Sequence, residues 1–146
     1  MELLALRVRV TEDDAARLLT KVPPDELPVK ELTVRFTSEG VVAEGKYPTL
    51  MLAVPFKMVW RLDVSEGKVR AHLASIDFYG VPAGPFRGMI LNMVQEEAER
   101  LEGVTRNGET ILVDLAAAAA GLGFPVKLTP REIQHEAGAV VFVAGE

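Results

Sequence analysis

The sequence predicts an α+β fold: a long, curved, mainly antiparallel sheet wrapped around one long amphipathic helix, with two short helices beside it. Three observations predict it. Leu52, Val54, Phe56, Met58, Trp60, Leu62 and Val64 occupy every even position of one stretch, while Ala53, Pro55, Lys57, Val59, Arg61 and Asp63 fill the odd ones. Side chains alternate between the faces of a strand, so this is one long strand with a continuous apolar face. Between Pro85 and about Leu101, Phe86, Met89, Ile90, Met93, Val94, Ala98 and Leu101 recur at helical spacing, giving the rod that face needs. Finally, short turn sequences join most neighbouring strands, which leaves little room for parallel crossovers.

The elements follow in order. Leu4, Leu6, Val8 and Val10 alternate in a first strand. Thr11-Glu12-Asp13-Asp14 opens a short helix: the threonine hydroxyl accepts from the first turn, and the carboxylates suit the positive end of the helix dipole. Pro23-Pro24 closes it. Leu32, Val34 and Phe36 form the next strand, Ser38-Glu39-Gly40 turns the chain, and Val41 to Tyr47 returns antiparallel. After the long strand, Ser65-Glu66-Gly67 repeats the turn chemistry and Lys68 to Tyr79 comes back. Its apolar parity changes between Leu73 and Ile76, which predicts a bulge near Ala74-Ser75 that bends and twists the sheet.

Gly84 and Pro85 suit a helix start, and the long helix is expected to turn Arg87, Asn92, Gln95, Glu96, Glu99 and Arg100 to water. Asn107-Gly108 signals a hairpin between Val104–Arg106 and Thr110–Val113. Asp114 caps a short helix, Leu115 to Gly121, made almost wholly of alanine. Val126 to Glu136 and Val140 to Val143 form the last hairpin across Ala137-Gly138. A length of 146 residues fits one domain. The echo between the two Ser-Glu-Gly turns reads as recurring hairpin chemistry.

Composition narrows the function. Apolar residues make up 49% of the chain and mean hydropathy is +0.18, at the greasy end for a globular chain. No apolar run reaches the roughly 18 residues of a membrane-spanning helix, so the excess serves a core, a partner or a ligand. A net charge of -5 argues against nucleic acid, where Lys and Arg must neutralise phosphates. With no cysteine there is neither a disulfide nor a thiolate metal site. The start of the chain, with Arg7 and Arg9 breaking its apolar run, does not read as a signal peptide. The expected location is cytoplasmic, though a chain trimmed of an export signal would read the same.

Candidate chemistry is sparse. His72 and His135 are the only histidines, each mid-strand without a neighbouring ligand at metal spacing, and both are expected as solvated strand positions; no metal or cofactor is expected. Ser38, Ser65 and Ser75 lack an evident base, and there is no Gly-x-Ser-x-Gly, so an enzyme is not expected. Gly84-Pro85-Phe86-Arg87 caps a helix, with an anionic head group as its alternative use. Gly121-Leu122-Gly123-Phe124 closes a helix and is no phosphate loop. Glu96, Glu97, Glu99 and Glu102 read as a solvated acidic face.

Three stretches carry a resemblance. They are Val10 to Leu19; Leu52 to Val64 continuing through Glu66-Gly67-Lys68-Val69 to Ile76-Asp77-Phe78-Tyr79-Gly80-Val81-Pro82; and Ile111 to Ala117 with Gly121 to Val126. Together they resemble the tubular lipid-binding superfamily of the bactericidal/permeability-increasing type, and its short single-unit bacterial members in particular. The likeness lies in residue classes and contains no invariant signature. It implies a bent sheet wrapping a helix with acyl chains between them. The expected function is therefore a non-catalytic binding protein holding a lipid or other apolar small molecule. Leu52, Val54, Phe56, Met58 and Trp60 would line it from the strand, and Phe86, Met89, Ile90, Met93 and Val94 from the helix. Five methionines suit a deformable lining. The expected partners are the lipid, a membrane surface in passing, and a second copy of the chain. The alternative is a solid-cored interaction or self-association module using Val41–Tyr47 or Val140–Val143 as its edge.

Overall fold

The computed structural model describes residues 5–20, 29–48, 50–79, 84–100, 102–114, 116–117, 120 and 129–145. Their order is β1 (Ala5–Thr11), α1 (Glu12–Thr20), β2 (Lys30–Thr37), β3 (Gly40–Pro48), β4 (Ala53–Ser65), β5 (Lys68–Phe78), α2 (Gly84–Glu99), β6 (Val104–Asn107), β7 (Thr110–Val113), β8 (Thr129–Glu136) and β9 (Ala139–Gly145).

These strands form two antiparallel sheets. One has six strands in the order β2-β3-β4-β5-β7-β6, the other three in the order β1-β9-β8. The expectation of one long sheet wrapped around a long amphipathic helix is thus overturned. The described residues are mostly sheet, and α2 is not an amphipathic rod. Met89, assigned to its buried stripe, is 53% exposed, while Gln95, assigned to water, is 4% exposed. Gln95 is drawn inward because its Nε2 donates to the Gly108 carbonyl at 2.5 Å, closing the β6–β7 turn. The last hairpin cannot extend the large sheet because β9 takes β1 and β8 as its two neighbours. That also removes both proposed edges, since β3 lies between β2 and β4 and β9 is the middle strand of its sheet. Of the two short helices, the second falls largely outside the described residues; its cap is present, with Asp114 Oδ1 accepting from the Ala117 N–H at 3.1 Å. Pro23-Pro24 and Gly121 to Phe124 also lie outside them.

Local chemistry accounts for the rest. Thr11 Oγ1 accepts from the Asp14 N–H at 3.2 Å and Asp14 Oδ2 accepts from the Thr11 N–H at 2.9 Å, a reciprocal cap that starts α1 where β1 ends. The β4–β5 turn places Glu66 and Gly67 at φ 52 and 76, the paired left-handed residues that a tight hairpin needs. The register passes from Val59↔Ser75 to Trp60↔Leu73, so Ala74 is the extra residue of the expected bulge. Val69, Leu73, Ile76 and Phe78 are all buried as a result.

Among the described residues, polar ties join the large sheet to α1 and to the small sheet. The Glu12 side chain accepts the Phe36 N–H at 2.9 Å. The Gly138 N–H donates to the Phe36 carbonyl at 2.8 Å. The His135 ring, on β8, reaches the backbone of Leu62 on β4.

Candidate functional site

The strand register sets the floor of the site. Val34 pairs with Ala43, Ala43 with Met58, and Met58 with Ile76, so these four share one row across β2, β3, β4 and β5. The next row holds Phe36, Val41, Trp60 and Leu73. On the other side Gly45 faces Phe56, which faces Phe78. All of these point to the face on which α2 lies, with Ile90 wholly buried against the same core cluster as Phe56, Met58 and Trp60.

The floor is uneven because β3 contributes small residues between bulky ones. A Cβ on Gly45 would come within 3.2 Å of the Phe56 ring, so that ring closes the space over the glycine. Ala43 has no such cover. Above it lies an apolar cleft of about 250 Å³. Phe56, Met58 and Trp60 bound it from β4, Leu32 and Val34 from the edge strand β2, and Ile90, Met93 and Val94 from α2. Val29 and Glu97 also line it, and Glu97 is the single charged side chain among the described residues of the wall. The volume exceeds the roughly 150 Å³ of a void that takes benzene and falls just below the roughly 300–1,000 Å³ of drug-sized sites. It is suited to a small or short-chained apolar molecule.

Of the ten residues expected to line the site, Phe56, Met58, Trp60, Ile90, Met93 and Val94 meet around this cleft. Val54 is buried in the core but off the lining, and Leu52 is 59% exposed just before β4. Met89 faces outward. The side chain of Phe86 is outside the described residues. Sequence reasoning missed Val29, Leu32, Val34, Ala43 and Glu97. For Val34 and Ala43 a signal existed: counting back from the Thr37↔Gly40 turn puts them opposite each other and in line with Met58.

Other candidates resolve into structural parts. Arg87, at the proposed anion-binding turn, is engaged by Glu109 at 2.8 Å. Much of the acidic face is answered by arginine, with Arg106 3.1 Å from Glu99 and Arg100 3.4 Å from Glu97. The histidines are half-buried rather than fully solvated. Both Nδ1 atoms are buried without a partner, and burial pushes the His135 ring below its ordinary pKa. The Arg70 guanidinium, paired to Asp63 through both oxygens at 2.8 and 2.6 Å, holds that carboxyl below the usual carboxylate range.

No group of three or more His, Cys, Asp or Glu side chains is placed to hold a metal among the described residues. No helix among them is long and apolar enough to cross a membrane.

No protein-family model matches the chain, and no curated protein matches it either. The functional reading therefore rests on the cleft itself.

Proposed function

We propose that this protein is a non-catalytic binding protein that takes a lipid or other apolar chain into the cleft between the six-stranded sheet and α2. The observation that supports it is the apolar cleft over Ala43, walled by Phe56, Met58, Trp60 and Ile90, which are otherwise buried as core. A folded interior is normally close-packed, and each void forfeits contacts around its lining. A gap of about 250 Å³ beside fully buried Phe56 and Ile90 is a cost that a bound chain removes. Met58 and Met93 in the wall can re-pack around chains of different shape.

Native mass spectrometry of gently purified protein tests the reading. The expected result is an added mass of a small apolar molecule that is lost on activation and restored by a short-chain lipid analogue. Ligand-free protein that also takes up no fluorescent lipid probe would contradict it.

A further inference from the structure

We propose that the cleft selects single-chain amphiphiles with a neutral or cationic head, an alkanol or alkylamine in preference to a fatty-acid anion. This rests on the reading of the cleft as the binding site. Glu97 stands one turn beyond Met93 and Val94 on α2, so its carboxylate shares their wall. Its side chain is 42% exposed, which places the charge at the mouth and leaves the depth to Met58 and Trp60.

Among the described residues every other side chain in the wall is apolar, so none of these offers a cation or strong donor to a carboxylate head. Among the described residues Arg100 is the nearest cation, 3.4 Å from Glu97, but its side chain is 75% exposed and it is no part of the wall. A chain lying in the cleft brings its head to Glu97. An ammonium gives that carboxylate three donors and opposite charge, and a hydroxyl gives one donor. A fatty-acid carboxylate meets like charge and finds no side-chain donor among the described residues of the wall.

Competition among octylamine, octanol and octanoate, at equal chain length and below self-association, reads this out through Trp60, the only tryptophan of the chain and part of the cleft wall. At low salt octylamine should bind roughly tenfold or more tighter than octanoate, with octanol between them. The gap should narrow as salt screens the exposed carboxylate. Glu97→Gln should bring octanoate level with octanol, its fold checked by circular dichroism. Equal affinities for the three in the wild-type protein, or an unchanged order in Glu97→Gln, would overturn the selectivity. Binding of none of them would overturn the cleft reading itself and the selectivity with it.

Discussion

The ring Nε2 of His135 stands 3.1 Å from both the backbone nitrogen and the carbonyl oxygen of Leu62. Leu62 lies just past Trp60, the last β4 residue paired to β3. The imidazole thus occupies the place of a missing strand and ties β8 of the small sheet to β4 of the large one.

Burial of that ring makes stability pH-dependent. Burial lowers the folded pKa of His135, the Leu62 backbone opposes this, and among the neighbouring charges Arg61 lowers it while Asp63 raises it. A base with a depressed folded pKa binds its proton more readily in the unfolded chain. Stability therefore rises with pH through this window and falls as pH drops below about 6.5, the ordinary histidine value. Thermal unfolding between pH 5 and 7.5 should show that fall, and His135→Gln should flatten it.

Gly40 is constrained by the turn that sets the cleft register. Its φ is +147, and a Cβ there would run into the Trp60 carbonyl oxygen. Gly40→Ala should cost roughly 2 kcal/mol or more, since both the dihedral and the contact oppose it. Urea denaturation gives the figure directly.

Glu12 anchors the edge of the large sheet to α1 by accepting the Phe36 N–H. Glu12→Ala leaves that donor unmatched and should cost about 1–3 kcal/mol. Hydrogen exchange should speed up at Phe36 while the β4–β5 ladder stays protected.

Ala43 leaves the cleft its room. Ala43→Leu should fill the space, abolish uptake of an apolar probe, and change stability by less than about 1.5 kcal/mol. In a solid core the same change would cost typically 1–3 kcal/mol and distort neighbouring rotamers. Calorimetry and probe binding on the one variant separate the two situations.

Local chemistry made the strands, turns and caps legible in the sequence, but not the two-sheet architecture. The parity of β4, the bulge at Ala74, the Thr11–Asp14 cap and the hairpins all follow from neighbours within a dozen residues. What escaped was long-range. Nothing local to Val140–Val143 says that β9 will be flanked by β1, more than 120 residues away. The inward turn of Gln95 depends on a carbonyl at Gly108, thirteen positions on, so helical periodicity alone assigned it to water. The site was half legible for the same reason: β4 and α2 announced their apolar faces, whereas the gap over Ala43 arises only when three strands come into register.

The most direct measurement is quenching of Trp60 by a short brominated alkanol, because a bromine atom quenches indole only at contact range. Saturable quenching in the wild-type protein, lost in Ala43→Leu while the fold is kept, is the predicted result. Quenching no stronger than that of a solvent-exposed tryptophan analogue, without saturation, would contradict a ligand-accepting cleft.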